Sequence, residues 1–229
     1  MELYLLRHGQ AMFGSKDYDR LSDLGHKQAL CLGDELGQWQ LSHAKLMTGA
    51  LKRQQQTFAG VHTGLGERLP EQWLVDANAD AGLNEINVAE LMPVYWPQAC
   101  ARLGLDISPQ QASEQVHQFM PLLSEAIRLW MDDGQGQVTE SFEQFQQRVL
   151  TALTEHGDHN RPTLAVTSGG VISLMTALAT GDGPRPMAEL IHQVNNCSIT
   201  HLKYARGQWH LQAFNINGHL RRQQMLTWR

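Results

Sequence analysis

Short apolar runs alternate with longer amphipathic stretches along the chain, which indicates strands interleaved with helices. The clearest apolar run, Thr163 to Thr167, predicts a central strand, and the run from Leu3 to Leu6 predicts a buried first strand. Two alternating runs on either side of Arg206-Gly207 predict a hairpin. The predicted strands cover residues 3–6, 45–48, 73–76, 163–167, 198–204 and 208–214. This order predicts an α/β fold with a mostly parallel central sheet, helices on both faces and a C-terminal hairpin.

Capping residues mark the predicted starts of helices. Ser22 precedes one helix, Ser141 with Gln144 forms a capping-box pattern, and Ser108-Pro109 precedes another helix. From residue 77 to residue 138 the strand–helix alternation stops, which predicts a mostly helical insertion over the sheet. We expect one domain over residues 1–229, with a polar loop at 11–20. The insertion has an apolar stripe typical of core packing: Val116, Phe119, Met120, Leu123, Ile127 and Trp130.

The composition is that of an ordinary soluble globular protein, with 42% hydrophobic and 18% charged residues among 229. The net charge of −5 argues against a basic face for a nucleic-acid backbone. A small phosphorylated ligand stays compatible with that charge, because a pocket needs only a few local cations. No apolar stretch reaches the length of a membrane span. We therefore expect neither nucleic-acid nor membrane partners, and the composition leaves the oligomeric state open.

Cysteine usage indicates a reducing compartment. Cys31, Cys100 and Cys197 are odd in number and far apart, and no Cys-x-x-Cys pair occurs. Neither a disulfide framework nor a zinc ribbon is therefore expected. The start of the chain has an acidic Glu2 and only a short apolar run, unlike a signal peptide. These features predict a cytoplasmic protein.

The first predicted strand runs directly into Arg7-His8-Gly9. An open α/β sheet binds its ligands just past the carboxyl ends of its strands. The planar guanidinium of Arg suits phosphate oxygens, and a neutral His can act as nucleophile or base. Gly9 would let the backbone turn close to a ligand. The tripeptide therefore predicts a site directed at phosphate.

The tripeptide opens a series of motifs that follow in a fixed order over nearly the whole chain. They are Leu21-Ser22 with Gly25 and Gln28-Ala29, Arg53 four residues before Thr57, Leu83-Asn84-Glu85, Glu140-Ser141-Phe142 with Arg148-Val149, and Asn215 with His219-Leu220. In this order they resemble the histidine phosphatase superfamily, also called the phosphoglycerate mutase-like family. The resemblance implies a phosphoglycerate mutase-like α/β fold.

The resemblance also implies a mechanism. His8 would attack phosphorus and carry a transient phosphohistidine, while Arg7 and Arg53 would bind the non-bridging phosphoryl oxygens. Glu85 would protonate the leaving alcohol, with Glu90 as the fallback if the register of the loop differs. The resemblance implies a small phosphorylated substrate. It implies neither a metal nor a cofactor, since cations already lie in the pocket.

The chain departs from the family pattern at Ser168. The family usually has a second histidine here, lying against the phosphoryl group in a Val-x-His-Gly-Gly setting, whereas this chain has a serine followed by Gly169. A hydroxyl still donates one hydrogen bond but brings no positive charge. Losing one preorganised donor costs roughly 10²–10³ in rate, and a hydroxyl should recover part of that loss. N–H groups at the start of the next helix favour an anion, so we expect Ser168 and Gly169 to bind phosphate.

Each candidate residue also has another interpretation. His8 could be a hydrogen-bonded structural histidine, Arg53 a solvated helix residue and Glu85 part of an ordinary polar loop. Ser168 could be the nucleophile of a serine hydrolase, but the Gly-x-Ser-x-Gly elbow needs a glycine where Val166 stands.

Other residues of chemical interest have structural explanations too. His156 and His159 form a candidate metal pair, but they lie in a polar loop without a further convergent ligand, so we expect them to be solvated. The regular spacing of four later histidines is interpreted as coincidence: His192, His201, His210 and His219. Four residues of the insertion are candidate pocket contacts, core residues or oligomer contacts: Tyr95, Trp96, Arg102 and Trp130.

The sequence favours a metal-independent phosphomonoester hydrolase over a mutase. A mutase must hold a second acidic group, and residues 85–97 contain no Arg or Lys for that purpose. The alternative is a phospholigand- or protein-binding module that kept the fold and lost catalysis. Retention of Arg7, His8 and Arg53 favours an active enzyme, weakened or specialised by Ser168. The sequence does not identify the substrate.

Overall fold

The computed structural model describes residues 1–12, 18–39, 41, 43–109, 111, 116–134 and 136–228. Six strands form one sheet in these residues: β1 (Glu2–Arg7), β2 (Lys45–Gly49), β3 (Leu74–Asp80), β4 (Thr163–Thr167), β5 (Ile199–Ala205) and β6 (Gln208–Ile216). The helices are α1 (Asp23–Gly37), α2 (Lys52–Leu65), α3 (Val88–Leu103), α4 (Val116–Asp132), α5 (Phe142–Glu155), α6 (Gly169–Thr180), α7 (Met187–Leu190) and α8 (Gly218–Arg222).

The strand order across the sheet is β3–β2–β4–β1–β5–β6. The first four strands in this order pair in parallel, and the hairpin β5–β6 extends the sheet antiparallel beyond β1. The pairing of β1 with β4 runs from Leu3 opposite Thr163 to Arg7 opposite Thr167. The predicted α/β fold, with its mostly parallel sheet and terminal hairpin, is confirmed.

Side chains of β1 alternate between two apolar clusters on opposite faces of the sheet. Leu3 and Leu5 belong to one cluster, with residues of α3, α4, α5 and α6, whereas Leu6 belongs to the other, with residues of α1 and α2. A strand covered by helices on both faces has no solvent-exposed side, so apolar residues are favoured at its central positions. This burial explains why β1 and β4 are continuous apolar runs in the sequence.

The predicted helix caps are present. The Ser22 hydroxyl oxygen accepts from the N–H of Gly25 at 3.1 Å, and Ser141 and Gln144 form the reciprocal capping box. The Ser108 hydroxyl oxygen accepts from the N–H of Gln111 at 3.3 Å. Residues 110 and 112–115 of the helix predicted there, and residues 13–17 of the predicted polar loop, lie outside the described residues.

The segment predicted as an insertion packs over one face of the sheet. Strand β3 continues to Asp80, beyond the predicted end at residue 76, so the first four residues of the predicted insertion belong to the sheet. Leu123 and Ile127 of the apolar stripe are buried core residues. Tyr95, Trp96 and Trp130 are buried in the same cluster, and Arg102 pairs with Glu125 at 2.8 Å. Pocket contact, core residue and oligomer contact were the three interpretations of these residues. The burial of the three aromatic side chains fits the second, a place in the core. None of the described helices combines the length and apolarity needed to cross a membrane.

Candidate active site

The candidate site lies at the carboxyl ends of β1 and β4. Because Arg7 pairs with Thr167 in register, His8 and Ser168 are the first residues past two neighbouring parallel strands. The His8 N–H continues the ladder and donates to the Thr167 carbonyl at 2.9 Å. Helix α6 begins directly after Ser168. The topology thus brings the two predicted segments to one edge of the sheet, where open α/β sheets bind ligands.

His8 is held as a neutral imidazole whose lone pair is on Nε2. Its side chain is only 3% exposed, and Nδ1 lies 2.7 Å from the Gly9 carbonyl oxygen. A carbonyl can only accept, so Nδ1 carries the hydrogen and Nε2 presents its lone pair, which accepts from Arg53 Nε at 3.2 Å. Burial, with the adjacent charges of Arg53 and Arg7, holds the pKa of His8 well below its usual value. Nε2 therefore has the properties of a nucleophile.

The turn after His8 is fixed by close backbone packing. A Cβ on Gly9 would lie 2.5 Å from the Gly25 carbonyl oxygen, so the close approach that requires glycine here is to α1, rather than to a ligand as predicted. The Gly9 N–H donates to the Thr57 hydroxyl at 3.0 Å, and Asn196 donates to the His8 carbonyl at 3.2 Å. These contacts explain why Gly25 and Thr57 are part of the motif series.

Arg53 and Arg7 both lie close enough to His8 to lower its pKa. Arg53 is 6% exposed, and besides contacting His8 it donates from Nη1 to Asp19 at 2.7 Å. Arg7 donates from Nη1 to the Val194 carbonyl and, at 3.1 Å, to the Trp228 carbonyl. Its Nε is buried and has no hydrogen-bond partner among the residues described. The site therefore has two guanidinium groups, and at least one of their N–H donors has no hydrogen-bond partner among the described residues.

Glu85 lies at the first turn of α6. Its carboxylate accepts from the Gly170 N–H at 2.9 and 3.2 Å and from the Ile86 N–H at 3.0 Å. The fallback residue, Glu90, instead accepts from the N–H of Thr139 and from Asn87 at the exposed start of α3. The structure therefore brings Glu85 to the α6 end of the site, and it does not bring Glu90 there.

The remaining motif residues hold the loops of the site. Arg148 donates to the carbonyls of Gly82 and Asn84 at 3.0 and 2.8 Å and pairs with Glu140, which fixes the loop that carries Glu85. His219 lies 3.0 Å from the Cys197 carbonyl through Nε2, next to the segment that holds Arg7 and His8.

Ser168 and Gly169 lie where phosphate was expected to bind. Ser168 is fully buried, and its hydroxyl oxygen accepts from Gln54 Nε2 at 2.8 Å. A Cβ on Gly169 would lie 3.6 Å from Arg7 Nε, the donor that has no hydrogen-bond partner among the described residues. No histidine contacts the Ser168 hydroxyl in the described part of the chain, so nothing there activates it as a serine hydrolase nucleophile. Sequence reasoning missed Gln54, because it is the first of three consecutive glutamines in an ordinary helical segment.

One member of the candidate metal pair, His156, contacts a carboxylate. His156 Nδ1 bonds Asp80 at 2.5 Å, and the His156 side chain is about half exposed. Over the described residues, no group of three or more His, Cys, Asp or Glu side chains is arranged to hold a metal ion.

Known proteins provide an independent comparison. The sequence profile of the histidine phosphatase superfamily (branch 1) matches residues 3–104 and 105–217. Among solved structures, phosphoglycerate mutase from Bacillus anthracis aligns over 98% of this chain and 96% of its own, with a TM-score of 0.65 and 15% identity. YhfR from Bacillus stearothermophilus aligns over 96% and 98%, with a TM-score of 0.63 and 23% identity. A mycobacterial glucosyl-3-phosphoglycerate phosphatase aligns over 94% and 99%, with a TM-score of 0.54 and 20% identity.

No curated protein matches the chain. The solved structures are under 25% identical and share its fold alone. The match to the family profile covers more than half of the chain and includes Arg7, His8, Arg53 and Glu85. The chain therefore belongs to the histidine phosphatase superfamily.

Proposed function

We propose that the chain is a phosphomonoester hydrolase that works through a phosphohistidine at His8. Membership of the superfamily supports phosphatase-type chemistry. The observation that carries the proposal is the state of His8: a buried, neutral imidazole whose Nε2 accepts from Arg53 and whose pKa is lowered by the charges of both Arg53 and Arg7. A nucleophile next to cations suits attack on an anionic phosphoryl group.

In the first step, the Nε2 lone pair of His8 attacks phosphorus and the ester P–O bond breaks. Arg7 and Arg53 neutralise the non-bridging oxygens, which carry most of the charge during transfer. Glu85 supplies a proton to the departing alkoxide, so the alcohol leaves neutral. The products of this step are the alcohol and a phosphohistidine.

In the second step, water attacks the phosphorus of the phosphohistidine. The Glu85 carboxylate takes a proton from this water, the P–N bond breaks, and inorganic phosphate leaves. His8 returns to its neutral form, with the hydrogen on Nδ1 held by the Gly9 carbonyl throughout.

Binding of substrate requires exchanges of hydrogen bonds at Arg53. The phosphoryl group must replace His8 Nε2 as the partner of Arg53 Nε, so that the lone pair is released. It must also compete with Asp19 for Nη1. Because two guanidinium groups already supply positive charge, the proposal needs no metal, and activity should withstand a chelator.

The test is phosphate release from a panel of phosphomonoesters in the presence of EDTA, for the parent and for His8→Ala. We expect the parent to be active and the variant to lose at least about a thousandfold in kcat, since nucleophile removal disables the whole route. Radiolabelled phosphate from the substrate should be trapped on the parent after quenching in alkali. A His8→Ala rate equal to that of the parent would contradict the proposal.

A second candidate is a phospholigand-binding module without turnover. The observation in its favour is Ser168, which stands where the family pattern has a histidine. This candidate predicts binding of inorganic phosphate or vanadate, measured by calorimetry, with no phosphate release from any monoester of the panel. Turnover that depends on His8 would exclude it.

A further inference from the structure

A buried amide lies next to Ser168, on the helix that also carries Arg53. Gln54 is fully buried, and its Nε2 donates to the Leu83 carbonyl at 2.9 Å and to the Ser168 hydroxyl at 2.8 Å. Its Oε1 accepts from the Leu51 N–H at 3.1 Å. A Cβ on Gly49 would lie 2.1 Å from this Oε1, so only glycine leaves room for the amide. The position of Gln54 is therefore fixed from several sides.

The backbone partners of Gln54 determine which end of its amide faces Ser168. The Leu83 carbonyl can only accept and the Leu51 N–H can only donate, so the nitrogen must lie on the side of Leu83 and Ser168. The Ser168 oxygen is therefore an acceptor in this contact, and its own hydrogen must point elsewhere. Across the residues that the structure describes, Ser168 donates this hydrogen to no acceptor.

Two consecutive residues of α2 contact His8 and Ser168 at the carboxyl ends of β1 and β4. Arg53 contacts His8 Nε2 at 3.2 Å, and Gln54 contacts the Ser168 oxygen at 2.8 Å. The ladder places His8 and Ser168 side by side at the ends of β1 and β4. The unfilled Arg7 Nε lies at the same edge, so two unused donor hydrogens lie close to the proposed nucleophile.

We propose that Gln54 is a positioning residue, which directs the Ser168 hydroxyl hydrogen toward an oxygen of the phosphoryl group that His8 receives. This inference rests on the proposed function. By donating to the Ser168 oxygen, the amide fixes the side on which the hydroxyl accepts. The Leu83 carbonyl beside the amide is already occupied by Gln54 and by the Thr167 hydroxyl at 2.7 Å, so it offers no partner to the Ser168 hydrogen. The hydrogen is then already oriented when charge develops on the phosphoryl oxygens, and preorganised donors of this kind lower the barrier.

The same contact implies that Gln54 fills the space beside residue 168. Both side chains are fully buried and only 2.8 Å apart, so a larger side chain at 168 must displace the amide. The serine and the glutamine thus form a matched pair, and a histidine at 168 requires a small residue at 54.

The first experiment is a double-mutant cycle with Ser168→Ala and Gln54→Met, measuring kcat and KM for p-nitrophenyl phosphate. We expect Ser168→Ala to lower kcat roughly ten- to a hundredfold, with a much smaller change in KM. Gln54→Met should cause a similar loss, and the double variant should lose at most about threefold more than Ser168→Ala. Gln55→Met, the same change at the exposed neighbouring glutamine, should leave kcat unchanged.

Independent effects would overturn the inference. If the two losses multiply, Gln54 acts only on the fold, and if Ser168→Ala keeps the parental kcat, the hydroxyl takes no part. Failure of the proposed function gives a different result, because either the parent would release no phosphate or His8→Ala would retain the parental activity. If His8→Ala is inactive, the double-mutant cycle tests only the coupling between Gln54 and Ser168.

A second comparison decides the question if Gln54→Met does not fold. Ser168→His alone should fall below the parent in kcat and in melting temperature, because the imidazole collides with the Gln54 amide. Combining it with Gln54→Ala should raise kcat at least about tenfold above that of Ser168→His, because one preorganised donor is regained. A single Ser168→His variant as active as the combined variant would refute the matched pair.

Discussion

At the scale of single residues, the charge state of His8 depends on Arg53. Burial is the largest cause of the lowered pKa of His8, and the adjacent Arg53 and Arg7 charges lower it further. Removing the positive charge in Arg53→Gln should therefore raise the pKa of His8 toward its usual value. The protonated, non-nucleophilic form would then appear at higher pH than in the parent.

The measurement is an NMR titration of the His8 imidazole from pH ~4 to ~8, the range in which histidines titrate. Lys52→Gln, which removes a charge from the preceding residue of α2, is the matched control, because Lys52 is not among the causes of the His8 shift. An unchanged His8 titration in Arg53→Gln would mean that burial and the Arg7 charge keep the imidazole neutral without Arg53.

At the scale of elements, helix α5 controls the loop that carries Glu85. The Arg148 guanidinium bonds the carbonyls of Gly82 and Asn84 and lies 4.8 Å from the Phe145 ring. Arg148→Met leaves these carbonyls unpaired, and we expect the free energy of unfolding to fall by about 2 kcal/mol. Because Glu85 is the proposed proton donor, the rate should fall about tenfold or more for alkyl phosphates.

A substrate with a good leaving group separates this effect from general instability. The p-nitrophenolate ion departs without needing a proton, so Arg148→Met should slow p-nitrophenyl phosphate hydrolysis much less than alkyl phosphate hydrolysis. Arg161→Met is the control, since Arg161 pairs with Asp158 before the start of β4, away from the site. Equal losses on both substrates in Arg148→Met would contradict a role in positioning Glu85.

At the scale of the whole molecule, buried histidines make stability depend on pH. Burial is the largest cause of the lowered pKa of both His8 and His219, each only 3% exposed. Below about pH 6.5 the unfolded chain binds protons that the folded chain does not, so the unfolding free energy falls as pH falls. Each such histidine contributes up to about 1.4 kcal/mol per pH unit, until its folded pKa is reached.

Urea unfolding at pH ~7 and ~5.5 measures this dependence. His219→Gln should reduce the loss of stability between the two pH values, and the same substitution at the exposed His62 is the matched control. A pH dependence in His219→Gln as steep as in the parent would show that His219 does not contribute.

The parts of the molecule that were predictable from sequence are those with local signals. Strands β1 and β4 are apolar runs because they are buried on both faces, and Ser141 forms its cap within one turn. Gln54 was missed because its partners Leu83 and Ser168 lie 29 and 114 residues away, and nothing in a run of glutamines shows which one is buried. A close backbone approach at Gly9 was predicted from the sequence. Its partner Gly25 was not predicted, because that contact is also non-local.

The position of β1 in the sheet has a consequence for how the protein is made. This strand leaves the ribosome well before its neighbours β4 and β5, which begin at residues 163 and 199. Until those residues emerge, an apolar strand has both edges unpaired, and such segments are prone to aggregate. Ribosome-bound chains that end before Thr163, where β4 begins, should therefore hold β1 in a chaperone-dependent, protease-sensitive state.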